Sequence, residues 1–403
     1  MNKILFITDN FPPEVNAPAT RTYEHAKEWV KLGLDVTIIT CAPNFPQGKV
    51  YKGYKNKFRE TEVVDGIKVI RVWSYITTNA GFVKRTLDYL SFAFMATLHG
   101  LFEKADIIVA TSPQFFTTWC GYTLSILKRR PWVFELRDLW PESIVSVGAM
   151  GKGKLYDFLE RIELFLYKKA TIVIPNTDAF KENLIKRAID PAKIHVIQNG
   201  ANLELFDTSV RCKGLKKDMG FDDRPVVGYI GTHGMAHGLD FIIESINSEN
   251  LDYANFLFIG DGAEKEKVMS LAKKYELKNI VFHDPIPKEE IPKYLSIVDV
   301  SLIPLKKSDT FKTVIPSKIY ETCAMNKPIL LGVEGEAKKL IDKYEVGLCF
   351  EPENADDFAH KLNRLLTNSA LYSKLEKNTA KLASDFDRKV MAKKMLDLLI
   401  KSQ

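Results

Sequence analysis

No apolar run in this chain is long enough to cross a bilayer. The longest, residues 86–102 (TLDYLSFAFMATLHGLF), is interrupted by Asp88 and His99 and falls short of the roughly 20 apolar residues that a spanning helix needs. The opening MNKILFITDNFPP holds an apolar stretch too short for a secretory signal, with two prolines behind it. Cysteine is scarce as well. Cys41, Cys120, Cys212, Cys323 and Cys349 are scattered, odd in number and free of any Cys-x-x-Cys pair. That pattern argues against a disulfide framework or zinc site and fits a reducing, cytoplasmic setting. No zinc finger or aromatic-rich RNA-binding motif occurs, so nucleic acid is not an expected partner. Low-complexity tracts and fixed-period repeats are missing too.

What is present is an ordinary globular composition. At 46% hydrophobic and 11% aromatic residues, sizeable cores are expected, and 403 residues suggest two or three domains. The charge is unevenly placed. Residues 1–200 carry 27 Lys+Arg against 20 Asp+Glu, and residues 201–403 carry 30 against 31, so the whole excess of +6 lies in the first half. A basic face there would suit an anionic acceptor or a membrane surface.

The rhythm along the chain is strand, then helix. KILFIT (3–8) reads as a buried strand, followed by a helix over about 19–32 and the strand DVTIIT (35–40). TEVVDGIKVIRVW (61–73) reads as a hairpin turning at Asp65-Gly66. Further strands are expected at 106–110, 132–136, 171–175 and 193–197. After Gly200 the pattern restarts, with strands at 225–231, 255–262, 279–284, 298–304, 328–332 and 347–350. Between the halves, the polar stretch 201–222 has no clear apolar stripe and reads as a linker. The alternation predicts an α/β fold of two doubly wound units, with ligands at the carboxyl ends of strands and a cleft between the units.

Four stretches hold candidate chemistry. GTHGMAHG, with Gly231, Gly234 and Gly238 after a strand, is looser than a dinucleotide fingerprint. It reads either as a backbone approach to an anion or as a flexible turn. His233 and His237 stand four apart, but the intervening Gly234 and the lack of a third ligand speak against a metal pair. FIGDGAEKEK (258–267) ends a strand with Gly260-Asp261-Gly262. These residues could meet a base or ribose, while a tight turn with Asp261 near the helix cap is the plainer reading.

In TVIPSKIYETCAMNKPILL (313–331), Pro316 and Ser317 mark a helix entrance, with Ile319, Cys323 and Ala324 at helical spacing. Lys318 then falls in the first turn, where the helix dipole disfavours a cation. Glu321 comes four residues after the cap, whereas a capping box wants an acid at three. A phosphate at this helix start and its free amides would make Lys318 favourable, and Glu321 could accept two hydrogen bonds from a ribose diol. The alternative is a surface Lys318–Glu321 pair worth about 0.3–0.5 kcal/mol. In the first half, FELRDLWPES (134–143) puts Arg137, Asp138 and Glu142 just past a buried strand. A helix cap by Asp138 and an Arg137–carboxylate pair would account for them without chemistry. Arg21, early in the first helix, repeats the Lys318 anomaly and reads as a second phosphate contact or a solvated side chain.

Taken in order, these segments resemble the GT4 family of retaining glycosyltransferases, which have the GT-B fold. VIQNGANLELF (196–206) is similar to the family's I-P-N-G-V-D-x-x-x-F segment. So is the succession GYIGTHGMAHGLDFII, LFIGDGAEKEKV, VFHDPIPKEEIPKYLSIVDVSLIPL and PSKIYETCAMNKPIL. The likeness runs over essentially the whole chain, including the last helix after Phe386. RDLWPES together with PSKIYE resembles a subgroup that builds O-antigen and capsular polysaccharides, including N-acetyl-fucosamine transferases.

The resemblance implies two Rossmann-like domains facing each other across a cleft. Residues 1–205 would bind the acceptor, 206–384 the nucleotide sugar, and a helix over 385–403 would cross back to the first domain. Glu321 matches the glutamate that binds the donor ribose, Asn199-Gly200 the hinge-side segment, and Gly231 the loop approaching the diphosphate. Donor contacts are also expected from Thr232, His233, His237, Gly260, Asp261, Pro316, Ser317 and Lys318. Two departures stand out. The first Glu of the family's E-x7-E is Thr313 here, which implies an unusual, amino or deoxy donor sugar. The Arg and Lys of its G-R-x5-K-G pattern fall on Thr232 and His237, so Lys318 is the expected replacement cation. The family's His-Asp falls on Arg137-Asp138, leaving Asp138 or Glu142 to orient the acceptor hydroxyl.

The implied reaction moves a sugar such as N-acetyl-fucosamine from UDP to a polyprenyl-diphosphate-linked saccharide, without metal or cofactor. The DFD at 385–387 looks like a metal-binding DxD but lies at the start of the last helix. The place implied is the cytoplasm, with peripheral contact at the inner face of the plasma membrane. The basic first half and segment 82–102 suit an anionic bilayer, although a helix buried in the protein would explain 82–102 equally. Competing readings are a nucleotide-sugar 2-epimerase of the same fold and a non-catalytic sugar-nucleotide-binding subunit.

Overall fold

The computed structural model describes residues 1–45, 47–77, 82–112, 114–146, 151, 153–212 and 214–403. They form two units: Met1–Asn199 with Arg388–Gln403, and Gly200–Asp387.

The first unit is built on β1 (Lys3–Ile7), β2 (Asp35–Cys41), β3 (Arg59–Val64), β4 (Ile67–Val72), β5 (Ile107–Thr111), β6 (Trp132–Leu136) and β7 (Ile172–Pro175). Their order in the sheet is β3-β4-β2-β1-β5-β6-β7. All pairs are parallel except β3 with β4. That hairpin turns at Asp65-Gly66, whose φ angles of 49° and 81° are those a two-residue turn between twisted strands requires. β5, β6 and β7 are buried along their whole length, as parallel strands covered on both faces must be. The expected strand 193–197 joins this sheet at a single bridge, Val173 to Ile194. It starts as a 3-10 turn, Pro191–Lys193, in which Asp190 accepts from the Ala192 amide.

The second unit carries β8 (Val226–Ile230), β9 (Asn255–Ile259), β10 (Ile280–His283), β11 (Val300–Pro304), β12 (Ile329–Gly332) and β13 (Gly347–Cys349). They lie in the order β10-β9-β8-β11-β12-β13, every pair parallel. Chain direction across the sheet reverses between β8 and β11, and in the first sheet between β1 and β5. Crevices at such reversals are where doubly wound sheets take ligands.

The polar stretch 201–222 is not a free linker. Ala201 and Phe206 pack with Ile319, Cys323 and Leu331, and Phe221 packs with Val226, Leu257 and Val298. Its apolar residues follow no helical or strand period, so pattern alone missed them. The unit boundary consequently falls at Asn199/Gly200 and not after Leu205. At the far end, the helix Arg388–Lys401 packs on the helix Ala17–Lys31. Trp29 Nε1 donates to Ala392 O at 2.9 Å, and Arg388 pairs with Glu24 at 3.1 Å.

The helix Phe82–Gly100 buries Phe92, Ala93, Met95 and Ala96 but leaves Val83, Leu87, Leu90 and Phe94 exposed. One side of this helix is therefore buried and the other exposed. Among the described residues no helix is long and apolar enough to cross a membrane.

Candidate active site

Two glycine turns at the carboxyl ends of β8 and β9 pack against each other in the second unit. Gly231, Gly260 and Gly262 all have φ between 143° and 156°. A Cβ on Gly260 would lie 1.9 Å from Gly231 O, and one on Gly262 would lie 2.5 Å from His233 O. Glycine alone meets both the angle and the close approach. Backbone bonds then lace the turns together: Gly231 N to Ile259 O at 2.8 Å, His233 N to Asp261 O at 2.8 Å, and Glu264 N to His233 O at 2.9 Å. Asp261 is exposed and its Oδ1 accepts from Gly262 N. It closes its own turn and does not cap the helix Lys265–Lys274, whose N-cap is Glu264.

The helix Lys318–Ala324 after β11 delivers Lys318 onto these turns. Its ammonium lies 3.8 Å from the centroid of the Tyr229 ring. Its Cε is 2.3 Å from where a Cβ on Gly231 would stand, so the glycine makes room for the lysine. Among the described residues the Lys318 ammonium makes no hydrogen bond or ion pair. Burial pushes its amine down to about 7, with the Glu321 charge pulling the other way. The cation that helix physics disfavours locally is thus held without an anion against an aromatic face.

The two histidines beneath it stay neutral. Burial lowers His233 to about 4, with Lys265 and Lys318 adding repulsion. It lowers His237 to about 4 as well, with Lys318 again repelling. The His233 ring is wholly buried and among the described residues neither nitrogen has a partner, so this residue contributes its backbone to the turn. Thr232 O accepts from the Tyr229 hydroxyl, which holds the ring under Lys318.

Two local expectations are corrected. Ser317 has helical backbone angles (φ −61°, ψ −24°) and makes no side-chain cap bond. Ile319 N and Tyr320 N bond Pro316 O and Ser317 O at 3.1 Å. This seven-residue helix opens as a tight 3-10 turn and leaves fewer amides for an anion. Glu321 does not form a surface pair with Lys318. It lies 3.5 Å from Lys288, both side chains being under one-fifth exposed. Lys288 follows β10 in a 3-10 turn, Lys288–Glu290, and no spacing rule connects it to Glu321. Thr313 is half-buried and its hydroxyl donates to Thr310 O on its own loop at 2.8 Å.

In the first unit Arg21 is not solvated. It is 1% exposed and its Nε pairs with Glu135 on β6 at 2.8 Å. Its other nitrogens donate to Gln198 O, Ile197 O and Asn199 Oδ1 at 2.7, 3.0 and 3.2 Å. The guanidinium is consumed in clamping the chain end at 197–199, and Asn199 spends its side-chain oxygen there. Gly200 opens the second unit.

Arg137 and Asp138 stand at the end of β6. Arg137 is buried, its amide donates to Ser112 Oγ at 2.8 Å, and among the described residues its Nη1 has no partner. Burial lowers the guanidinium to about 10, opposed by Glu135 and aided by Arg21. Among the described residues the expected Arg137–carboxylate pair does not form: Glu135 pairs through Oε1 with Arg21, and its Oε2 is left without a partner. Asp138 is half-buried, and burial raises its carboxyl against the pull of Arg137. Trp140 stacks on Phe115 with centroids 4.0 Å apart and anchors the segment. Glu142 is exposed on the short helix Glu142–Ser146.

Residues 16–200 match the glycosyl transferase 4-like domain, and residues 215–382 match glycosyl transferases group 1. Both units are glycosyltransferase domains. The chain is accordingly a glycosyltransferase with the GT-B fold, and the glycine turns and Lys318 belong to its group 1 domain. This glycosyltransferase is 23% identical to Escherichia coli (strain K12) WcaI, named as a colanic acid biosynthesis glycosyl transferase, over 88% of this chain and 89% of that protein. It is 27% identical to the N,N'-diacetylbacillosaminyl-diphospho-undecaprenol alpha-1,3-N-acetylgalactosaminyltransferase of Campylobacter jejuni, over 51% of this chain and 54% of that one. Among solved structures, Anabaena HepE in complex with UDP and glucose superposes with a TM-score of 0.74 at 17% identity, covering 99% of both chains. Sucrose-phosphate synthase from Thermosynechococcus elongatus gives a TM-score of 0.78 at 17% identity, covering 100% of this chain and 99% of the other. Among the described residues no group of three or more His, Cys, Asp and Glu side chains could hold a metal ion.

Proposed function

We propose that this glycosyltransferase moves a sugar with retention from UDP to a saccharide carried on a polyprenyl diphosphate, in surface polysaccharide biosynthesis. The observation that carries the reading is Lys318, an ammonium without an anion, laid over the glycine turn after β8. A diphosphate at this turn would supply the missing negative charge. The amides opening the helix Leu239–Ser248, just beyond the turn, would add to its field. Glu321, one turn beyond Lys318, would accept the ribose hydroxyls, exchanging its contact with Lys288 for them.

In the reaction, the bond from the anomeric carbon to the diphosphate oxygen breaks while the acceptor oxygen bonds the same face. The hydroxyl proton passes to the departing phosphate. Charge grows on the leaving group, and preorganised donors aimed at it are where such enzymes gain rate. Lys318 takes that role, since Thr232 and His237 offer no fixed charge. Asp138 would orient the acceptor hydroxyl, with Arg137 beside it and Glu142 farther along the same segment. Neither a metal nor a cofactor is assigned.

The names of the E. coli and C. jejuni relatives support a polysaccharide and a lipid-linked acceptor, and the UDP complex of the Anabaena neighbour supports a uridine nucleotide. Thr313, in place of an acidic contact to sugar hydroxyls, supports an N-acetylated amino-deoxy sugar such as N-acetyl-fucosamine. Peripheral membrane contact is supported by the exposed stripe Val83, Leu87, Leu90 and Phe94, beside the exposed cations Lys84 and Arg85.

The test is a thermal-shift series with UDP-, GDP- and dTDP-sugars, followed by transfer to a polyprenyl-diphosphate saccharide. At a ligand concentration 100-fold above Kd, UDP-sugar should stabilise the protein by about 2.7 kcal/mol. If none of the three nucleotides moves the melting point, the proposal fails. Epimerisation of a UDP-sugar incubated without acceptor would replace it with the 2-epimerase reading.

A further inference from the structure

The first unit has a cavity at its own reversal of strand order, where the carboxyl ends of β1, β2 and β5 meet. Asp9 and Glu14 after β1, Asn44 after β2, Gln114 after β5, and Asp88 on the helix Phe82–Gly100 line it. None of these was singled out by the sequence reading, because they come from four separate segments.

Glu14 is 2% exposed but only half satisfied. Its Oε1 accepts from the amides of Asn44 and Phe45 at 2.7 and 2.8 Å, and its Oε2 is buried without a partner among the described residues. Asp9 Oδ1 is likewise buried and without one among them. Buried acceptors are almost always paired, so carboxylate oxygens left bare among the described residues, on two residues that line one cavity, point to donors brought by a ligand. Burial holds all three carboxyls above their ordinary range, Glu14 at about 7 and Asp88 at about 6, with Asp9 adding repulsion to both. Of the facing cations, Arg85 tempers Asp88, and Arg71 is spent on Glu62, Cys41 O and Pro12 O.

The cavity encloses about 60 Å³, the share of about two water molecules. That admits one substituent and not a sugar ring, which would stay at the rim beside the exposed Phe45.

We propose that this cavity receives a hydrogen-bond-donating substituent of the acceptor sugar, a hydroxymethyl or ammonium group, on Glu14 Oε2 and Asp9 Oδ1. It rejects an anionic substituent, although the half of the chain that contains it is basic overall. The inference rests on the reading that the first unit holds the saccharide acceptor.

Saturation-transfer NMR on the full chain tests it, with methyl glucoside, methyl glucosaminide and methyl glucuronoside as probes. The first two should bind, and the glucuronoside should bind at least about tenfold more weakly. Glu14→Gln keeps the acceptor for Asn44 and Phe45 but puts a donor in place of Oε2, and should weaken the glucosaminide about tenfold or more. Asp88→Asn, at the half-buried rim, is the second variant and should weaken the glucosaminide more than the glucoside. Equal binding of glucoside and glucuronoside, unchanged binding in a folded variant, or no binding of any probe overturns the proposal. Nucleotide plays no part in this measurement. Saccharide binding without a melting shift from any of the three nucleotide sugars would sink the transfer reading alone, and the reverse would sink this one alone.

Discussion

Replacing Lys318 by Met keeps most of the side chain's length and removes its charge. In the ligand-free protein, burial pushes this amine from 10.5 down to about 7. At about 1.36 kcal/mol per pKa unit, holding the ammonium there costs on the order of 3–5 kcal/mol. A lysine whose folded pKa lies below its unfolded one carries the cost in full below about pH 7, and the cost fades as pH climbs toward the unfolded value. Lys318→Met should therefore melt above the wild type near pH 6, with the gap closing in alkali. With UDP the sign reverses. A diphosphate against the ammonium raises its pKa, so binding takes up a proton and wild-type affinity should fall by up to about tenfold per pH unit above pH 7. The variant should bind UDP about 10–150-fold more weakly, the loss of a charge-assisted bond worth about 1.5–3 kcal/mol. Its affinity should not change between about pH 7.5 and 9, where the terminal phosphate of UDP is fully ionised and His233 and His237, both at about 4, are neutral. Melting curves with and without UDP between about pH 6 and 9 report both effects. Wild-type UDP affinity that is flat in pH, or a variant that binds UDP as well as the wild type, would refute the reasoning.

Glu321→Gln should weaken UDP about tenfold and 2′-deoxy-UDP less, as expected for loss of a charged hydrogen-bond acceptor; equal losses, read by calorimetry, would remove the ribose from its role. Gly260→Ala forces a Cβ to within 1.9 Å of Gly231 O at φ 143°, and should lower stability by about 1–3 kcal/mol or more in urea titrations. Arg21→Leu strands Glu135 in the core and should cost about 3–5 kcal/mol, with much of it recovered by adding Glu135→Leu. An unchanged urea midpoint with weaker UDP binding would instead restore Arg21 as a phosphate contact. Leu90→Glu with Phe94→Glu should abolish flotation with anionic liposomes while leaving the melting point within a few degrees, both residues being exposed.

Much of the architecture was legible before any coordinates. The buried strands are contiguous apolar runs, the hairpin announces itself at Asp65-Gly66, and the glycines after β8 and β9 mark the close approach they make. Lys318 was conspicuous for a local reason, being a cation where the helix dipole wants none, and that reason survives even though the Ser317 cap does not. What pattern could not reach was pairing over distance. Arg21 finds Glu135, Glu321 finds Lys288, and the 201–222 stretch finds its core only after the strands have been placed out of chain order. The bare oxygens of Asp9 and Glu14 are defined by what fails to reach them, which no spacing encodes.

The chain by itself therefore determined its alternation, its glycine turns and one misplaced cation, because each follows from steric and dipolar rules acting within a few residues. Only the tertiary structure decided which charges are neutralised, which are buried bare and which face a cavity. Desolvation and Coulomb attraction depend on neighbours in space, and sheet order brings those together from distant parts of the chain.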